Sequence, residues 1–191
     1  KDAYVTIHGH FYQPPRENPW LDAIEFEESA QPFHDWNERI AFECYRPNAY
    51  ARIIDGQGKI LDIFNNYSFL SFNFGPTLLS WIERERPFIY QKILEADLES
   101  HRRLGHGNAI AQVYDHMIMP LANERDQETE VRWGIADFER HFHRKPEAMW
   151  LPETAVNTPT LQALIKYGMR YLILSPFQAL RVRSFGGKRW T

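Results

Sequence analysis

The chain has 191 residues, of which 43% are hydrophobic, 25% charged and 15% aromatic, a composition typical of a folded globular protein. The single cysteine, Cys44, excludes an internal disulfide, and 22 basic residues against 25 acidic ones give a formal charge of −3. This charge offers no electrostatic reason to bind nucleic acid or an anionic membrane. Apolar runs reach only about four residues, whereas roughly 20 are needed to cross a bilayer. We therefore expect an uncharged ligand, no nucleic-acid or membrane partner and, from the lone cysteine, a reducing compartment such as the cytoplasm.

Strand-like and helix-like patterns alternate along the chain. Short β-rich runs predict strands at residues 4–7, 69–72, 109–113, 148–151 and 171–174. Helical spacing predicts helices at residues 35–45, 75–86, 88–104, 129–142 and 158–167, with a weaker one that includes 59–64. Pro47 is expected to stop the first of these helices, and Thr158 to be the N-cap of the last. The aperiodic, proline-rich residues 11–32 are predicted to form one long loop.

Strands separated by helices favour parallel strands joined by right-handed crossovers, so the predicted fold class is α/β. The helix N-termini carry neither a Gly-x-Gly-x-x-Gly nor a Walker pattern, which argues against a nucleotide-binding open sheet. A closed barrel of alternating strands and helices typically needs about 250 residues. The five predicted strands therefore indicate an incomplete parallel β/α barrel, with residues 1–191 as the N-terminal part of a single catalytic domain.

Polar residues stand at the C-terminal ends of the predicted strands, where the ligand sites of parallel α/β folds lie. They are His8, His10, Asn73, His116 and Glu153. Because these strand ends meet at one edge of the fold, we expect the five side chains to lie close together.

His8 and His10 alternate along a strand, so their imidazoles are expected to share a face. Such a pair supplies only part of a metal site, and no aspartate stands at a suitable spacing. The other histidines available as a third ligand are His34, His101, His106 and His116. We therefore predict no metal, and two interpretations of the pair stay open, namely direct contact with a substrate and hydrogen bonding within the mouth of the barrel.

Glu153 follows Pro152, which ends a predicted strand and presents the carboxylate from a turn flanked by Trp150. An anion at the rim of a sugar-sized cleft is suited to nucleophilic attack on an anomeric carbon. The structural alternative, a cap for the next helix, is weaker because Thr158 is placed for that role. Candidate platforms for pyranose rings, for which packing within the protein is the alternative, are Phe11, Tyr12, Trp20 and Trp150.

Four segments, in order, resemble conserved regions of glycoside hydrolase family 57. They are residues 7–20 (IHGHFYQPPRENPW), 71–76 (SFNFGP), 107–121 (GNAIAQVYDHMIMPL) and 150–153 (WLPE). The first segment has the His-x-His…Gln-Pro form of a little-characterised branch that is often labelled as amylase or mannosidase-like. It departs from common members by two inserted residues, Phe11 and Tyr12, before Gln13.

The resemblance implies a seven-stranded (β/α) barrel that acts on α-glucans with retention of configuration. It also implies that Glu153 is the nucleophile and that His10 and His116 contact the sugar at the cleavage point. The acid/base of the family is an aspartate in a later region, and no Asp or Glu follows residue 174 in this chain. Retention needs two carboxyl groups about 5–5.5 Å apart, so we expect the aspartate to lie beyond the chain end and the isolated chain to be inactive.

We therefore predict a retaining glycoside hydrolase or glucanotransferase for α-linked glucans or related oligosaccharides, with Glu153 as nucleophile and without a cofactor. The predicted substrate contacts are His8, His10, Gln13, Trp20, Asn73, His116 and Trp150. Two alternatives remain open. One is a metal-dependent polysaccharide deacetylase or phosphoesterase that uses His8 and His10, and the other is a non-catalytic carbohydrate-binding module.

Overall fold

The computed structural model describes residues 5–183 and 186–189. The strands are β1 (His8–Phe11), β2 (Glu17–Asn18), β3 (Ala23–Ile24), β4 (Ala51–Ile54), β5 (Ile60–Phe64), β6 (Ser71–Phe74), β7 (Ala111–Gln112) and β8 (Met149–Trp150). The α-helices are α1 (Trp36–Ile40), α2 (Arg46–Ala49), α3 (Pro76–Glu85), α4 (Pro87–Leu104), α5 (Glu124–Phe142) and α6 (Thr158–Lys166). Within the described residues, none of the helices combines the length and the apolar character that crossing a membrane requires.

A row of parallel strands forms the centre of the fold. Strand β1 pairs in parallel with β6, and β7 pairs in parallel with β8. A parallel bridge between Phe72 and Ala109 joins the two pairs, and a second bridge, between Ala148 and Tyr171, continues the row. The spatial order is thus β1, β6, β7, β8 and then the chain at Tyr171, which confirms the predicted α/β class.

Strand β6 is buried on both faces. Phe72 and Phe74 pack in the main hydrophobic core, which also contains Ile82 of α3 and Ile93 of α4. Asn73 lies between the two phenylalanines, so its side chain points to the opposite face, yet it is only 1% exposed. A polar side chain buried in this way must find its hydrogen-bond partners inside the protein.

The predicted helices at 75–86 and 88–104 are confirmed, and each begins with a proline. Pro76 and Pro87 occupy the first turns of α3 and α4, where a missing backbone N–H removes no helical hydrogen bond. Helix α4 ends at Gly105, whose φ of 79° lies in the left-handed region. Helix α5 starts earlier than predicted because Asn123 caps it, accepting a 3.0 Å hydrogen bond from the backbone N–H of Asp126.

The N-cap of α6 is Asn157, so the prediction of Thr158 was wrong. The side-chain oxygen of Asn157 accepts hydrogen bonds from the backbone N–H (3.0 Å) and the hydroxyl (2.7 Å) of Thr160. Thr158 is the first residue of the helix instead. Because Asn157 satisfies the helix N-terminus, Glu153 is still not needed as a cap.

Pro47 does not end the first helix, contrary to the prediction. Helix α1 passes into a π-helical turn, Ala41–Tyr45, and then into α2, where Pro47 stands in the first turn. The widened turn shifts the hydrogen-bond register just before the proline, and a proline is tolerated in a first turn.

The weak helix predicted around 59–64 is a strand. Strands β4 and β5 form an antiparallel hairpin, and Gly58 in its turn has a φ of 81°. The carboxylate of Asp55 accepts 2.9 Å hydrogen bonds from the backbone N–H groups of Gln57 and Lys59. The turn chemistry of Asp55 and Gly58 therefore outweighs the helical spacing of a short apolar run.

Three of the predicted strands differ from the observed ones. The strand predicted at 69–72 is β6 at 71–74, so Asn73 lies inside the strand rather than after it. Residues 5–7 are not in a strand, Tyr4 lies outside the described residues, and β1 begins only at His8. Pairing with β6, rather than the β-propensity of residues 4–7, fixes where β1 runs, and it places His8 and His10 inside the strand. Of the strand predicted at 171–174, only the single bridge at Tyr171 forms. The predicted loop 11–32 contains the short β2–β3 pair and a 3-10 turn at Glu28–Ala30.

Strand β7 is held from both of its neighbouring helices. At its start, Arg144 forms a bidentate ion pair with the buried Asp97 of α4 (2.8 Å for both contacts), and both side chains also bond to the backbone of Ala109 at 2.8 Å. At its end, helix α5 approaches so closely that a Cβ atom added at Gly134 would overlap the carbonyl oxygen of Gln112. Glycine at position 134 therefore permits the contact between α5 and β7.

We expect Gly134→Ala to lower the free energy of unfolding by about 1–3 kcal/mol, because the new methyl group must push α5 away from β7. Urea denaturation measures the change. Gly56→Ala is the matched control, since nothing lies within 4 Å of a Cβ added there, and its stability should stay close to that of the native chain. Equal stabilities for the two variants would contradict the close packing of Gly134 on Gln112.

Candidate functional site

Asn73 is the centre of a polar cluster near the C-terminal ends of the parallel strands. The strand register places His8 beside Ser71 and His10 beside Asn73. The Nε2 atom of His8 lies 3.1 Å from Asn73 Oδ1, and Nδ1 of His10 lies 3.0 Å from Asn73 Nδ2 and 3.2 Å from Asn73 Oδ1. Asn73 Nδ2 also donates a 2.6 Å hydrogen bond to Oε1 of Gln112. One amide group thereby connects side chains of β1, β6 and β7.

The cluster extends at both ends beyond Asn73. The Nε2 atom of Gln112 lies 2.9 Å from Nδ1 of His116, in the loop after β7, and the hydroxyl oxygen of Ser71 lies 2.9 Å from Nδ1 of His8. Asn73 and Gln112 are buried, whereas the imidazoles are partly exposed. Buried amides thus hold His10 and His116 through Nδ1 and leave Nε2 of these two rings to meet a ligand, whereas both nitrogens of His8 are paired within the cluster.

Aromatic rings keep the imidazole planes parallel. Trp150 of β8 stacks with His8 and His10, with centroid distances of 5.4 and 4.3 Å. Tyr12 stacks face to face on His116, with 3.5 Å between centroids and 10° between planes. Trp150 and Tyr12 therefore act first as packing partners of the histidines, the alternative that the sequence left open beside a sugar platform.

Glu153 lies in a 3-10 turn, Pro152–Thr154, directly after β8. Its φ of 55° is in the left-handed region, as are those of Thr154 (52°) and His116 (56°). Such a conformation costs a residue other than glycine about 1–3 kcal/mol and is concentrated at functional sites. The side chain of Glu153 is exposed, and its charge reaches both His10 and His116.

The histidines of the cluster favour the neutral state. Burial lowers the pKa of His8 and of His10, although the hydrogen bonds with Asn73 oppose the shift. Burial lowers the pKa of His116 to about 4, with a further decrease from His10 and an opposing increase from Glu153. Near neutral pH the three rings are therefore uncharged, and the charge of Glu153 acts on two of them, His10 and His116.

The structure brings together six of the eight predicted site residues. His8, His10, Asn73, His116, Trp150 and Glu153 belong to the cluster. Gln13 instead accepts a 2.8 Å hydrogen bond from Arg16, and Trp20 is 91% exposed in the turn between β2 and β3.

Gln112, Ser71 and Tyr12 belong to the cluster although they were not among the predicted contacts. Gln112 is the polar residue in an otherwise apolar run, Ala-Ile-Ala-Gln-Val, at the end of a predicted strand, so its position is a signal that the sequence did contain. The role of Tyr12 as a partner of His116 depends on the loop between β7 and α5, which no local pattern describes.

The arrangement offers neutral hydrogen-bond donors and acceptors beside one carboxylate, which suits an uncharged polyhydroxylated ligand. Among the described residues no group of three or more His, Cys, Asp or Glu side chains is arranged to hold a metal ion. The absence of a catalytic metal stays a prediction. A cavity of about 560 Å³ lined by Tyr50, Ile63 and Phe88 lies beneath the β4–β5 hairpin and contains none of the cluster residues.

The parallel strand row with helices between its strands and a polar cluster at its C-terminal end defines a protein of the β/α type. The family model of glycosyl hydrolase family 57 matches residues 4–180. The chain therefore belongs to glycosyl hydrolase family 57, as the four sequence segments indicated. No curated protein matches the sequence at a significant level.

Solved structures share the fold at low sequence identity. A branching enzyme from Thermococcus kodakaraensis superposes with a TM-score of 0.60 at 16% identity, over 88% of this chain and 39% of that protein. An exo-type maltose-forming amylase from Pyrococcus sp. superposes with a TM-score of 0.58 at 20% identity, over 88% of this chain and 28% of that protein. A 4-alpha-glucanotransferase from Thermococcus litoralis superposes with a TM-score of 0.53 at 16% identity, over 88% of this chain and 22% of that protein. This chain thus spans well under half the length of these proteins.

We expect His116 to remain neutral at about pH 5, where an unperturbed imidazole is largely protonated. Unfolding restores the ordinary pKa near 6.5, so between about pH 6.5 and 4 the unfolded chain binds a proton that the folded chain does not. The stability of the folded chain therefore decreases as the pH falls through this range. An NMR titration of His116 in the folded chain and in urea measures both pKa values. A folded-state midpoint near 6.5 would contradict the burial of this ring.

Proposed function

We propose that this protein is a retaining glycoside hydrolase or glucanotransferase that acts on α-linked glucans, with Glu153 as the nucleophile. The observation that carries the proposal is the position of Glu153, which follows β8 directly in a left-handed conformation, at the end of the strand row where His10 and His116 lie. The named activities of the similar structures, a branching enzyme, an amylase and a 4-alpha-glucanotransferase, support an α-glucan as the ligand.

Residues 1–191 are the N-terminal part of a single seven-stranded β/α barrel in this proposal. The row of parallel strands supports it, since β1, β6, β7 and β8 follow one another as successive barrel strands do. The edges of the row at β1 and at Tyr171 are where the remaining strands would pair.

The reaction proceeds in two displacements. The carboxylate of Glu153 attacks the anomeric carbon, the bond to the leaving oxygen breaks, and an ester between glucose and Glu153 forms. A water molecule or a hydroxyl group of a second sugar then attacks the same carbon and releases Glu153. Each displacement inverts the anomeric carbon, so the product retains the original configuration, and the acceptor decides between hydrolysis and transfer.

The neutral state of the histidines fits this chemistry. The transition state resembles an oxocarbenium ion, and its positive charge is stabilised by the anion of Glu153. An imidazolium beside it would oppose that charge, whereas neutral His10 and His116 can hydrogen-bond to sugar hydroxyls without doing so. We assign Trp20 and Gln13, which lie outside the cluster, to contacts with more distant sugar units.

The leaving oxygen must also be protonated, a step that general acids commonly accelerate about 10²–10⁴-fold. We assign this role to an aspartate outside these 191 residues. An activated aryl α-glucoside, whose leaving group needs no proton, should therefore react with this chain, whereas an ordinary maltooligosaccharide should not. Rapid cleavage of the ordinary substrate by this chain would locate the acid within it.

We expect Glu153→Gln to abolish the covalent glucosyl adduct that the activated substrate forms with the chain, because the variant keeps the shape of the side chain but lacks the anion. Mass spectrometry of the protein after brief incubation detects the adduct. Glu147→Gln is the matched control, since Glu147 precedes β8 where Glu153 follows it and forms an exposed ion pair with Arg170. An adduct that persists in Glu153→Gln would assign the nucleophile to another residue, and glucan binding without any adduct would favour a binding module.

His10→Ala should weaken both the binding and the turnover of the activated glucoside, since the ring is proposed to contact the sugar, whereas chelators should have no effect. Isothermal titration with a maltooligosaccharide and the rate of aryl release measure the two quantities. Stoichiometric zinc in the purified chain, with activity lost on its removal, would instead favour the metal-dependent alternative.

A further inference from the structure

Gln112 is a buried glutamine that connects the centre of the cluster to His116. Its oxygen accepts the 2.6 Å hydrogen bond from Asn73 Nδ2, and its nitrogen lies 2.9 Å from Nδ1 of His116. Helix α5 packs directly on the Gln112 backbone at Gly134, which fixes the main chain that carries this side chain. A side chain fixed in this way offers each neighbour one defined hydrogen-bonding role.

Hydrogen-bond chemistry then fixes which nitrogen of His116 carries the proton. An amide nitrogen has hydrogens to donate but cannot accept, so Nδ1 of His116 must be the acceptor. In a neutral imidazole the single hydrogen is then on Nε2. His116 therefore presents an N–H donor on its remaining nitrogen.

The same reasoning passes through Asn73 to His10 and His8. Nδ1 of His10 lies 3.0 Å from Asn73 Nδ2 and 3.2 Å from Asn73 Oδ1. Because Asn73 is buried, its second N–H needs a partner, and Nδ1 of His10 is within reach, so we assign Nδ1 as the acceptor and place the proton of His10 on Nε2. The oxygen of Asn73 accepts from Nε2 of His8 at 3.1 Å, and Nδ1 of His8 accepts from the hydroxyl of Ser71. The hydrogen bonds thus form one series in which each group donates to the next. The series begins at Ser71 and passes through His8, Asn73 and Gln112 to His116.

The charge of Glu153 favours this direction. Its carboxylate acts on both His10 and His116, and an anion is stabilised by N–H donors rather than by nitrogen lone pairs. Reversing both amides would instead make each Nε2 a lone-pair acceptor, an arrangement that the negative charge acting on both rings disfavours.

We infer that Gln112 is a positioning residue that holds His116 as the Nε2–H tautomer, and that Asn73 does the same for His10, so that both rings act as neutral donors beside Glu153. The consequence for catalysis rests on the proposed function: the two donors bind sugar hydroxyls or the Glu153 carboxylate itself. The tautomers themselves do not depend on what the ligand is.

Long-range nitrogen–hydrogen NMR correlations of the chain at neutral pH test the inference directly. The native protein should show Nε2–H tautomers for both His116 and His10. Gln112→Glu replaces the donor by an acceptor, so His116 should gain a proton on Nδ1, either as the other tautomer or as the imidazolium. Gln112→Met removes both hydrogen bonds at a similar side-chain size, and His116 should then exchange between its two tautomers.

Gln127→Met is the matched control. Gln127 is also a buried glutamine, but its amide donates to the backbone oxygens of Met119 and Ala122 and not to a histidine. This variant should leave the Nε2–H tautomer of His116 in place. A change of tautomer in Gln127→Met equal to that in Gln112→Met would show that general loosening of the fold is responsible, and would overturn the role of Gln112.

The rate on an activated aryl α-glucoside provides the second readout. We expect Gln112→Met to lower it roughly 10- to 100-fold, the range typical of residues that orient a functional histidine. An Nδ1–H tautomer in the native chain overturns the inference whatever the rate. A native chain without any reaction, but with Nε2–H tautomers, counts against the proposed function and leaves the tautomer assignment supported.

Discussion

A buried amide in a strand must satisfy its hydrogen bonds inside the protein, and at Asn73 this requirement organises the site. Phe72 and Phe74 pack in the core on one face of β6, and on the other face Asn73 is buried among side chains of β1 and β7. Leaving one of its polar atoms unpaired would cost about 1–3 kcal/mol. The partners that prevent this are His8, His10 and Gln112, so the same bonds that stabilise the strand row also orient the ring nitrogens.

The sequence predicted those features that depend on local chemistry or on the direction of the strands. Proline at the start of α3 and α4 and glycine at the end of α4 marked helices correctly, and polar residues after apolar runs located His10, Asn73, His116 and Glu153. It could not predict features that depend on pairing partners. The position of β1 is fixed by its pairing with β6, so the apolar run at residues 4–7 predicted the strand too early. The β4–β5 hairpin is fixed by its turn, so the apolar run at residues 59–64 predicted a helix where a strand forms.

Gln112 and Trp20 show that the candidate site residues, too, could not all be predicted from local sequence. The role of a glutamine cannot be predicted until its hydrogen-bond partners are known. The partners of Gln112 are Asn73 of β6 and His116 of the loop after β7. Trp20 matched a segment typical of the family, but its environment is set by the β2–β3 turn, where it is exposed. The left-handed conformations of His116 and Glu153 are likewise not marked by the sequence, since glycine is the residue that signals that backbone region.

The neutral state of the histidines determines how ligand affinity at the cluster should depend on salt concentration. A site whose rings carry no charge around one carboxylate attracts an uncharged ligand through short-range hydrogen bonds, and these are not screened by dissolved ions as long-range attraction between charges is. Affinity for such a ligand should then vary little between dilute and concentrated salt. Anionic molecules of similar size, in contrast, would meet the field of Glu153 with no compensating cation among the cluster histidines, so under the proposed function we expect phosphorylated or carboxylated sugars to bind more weakly than uncharged ones.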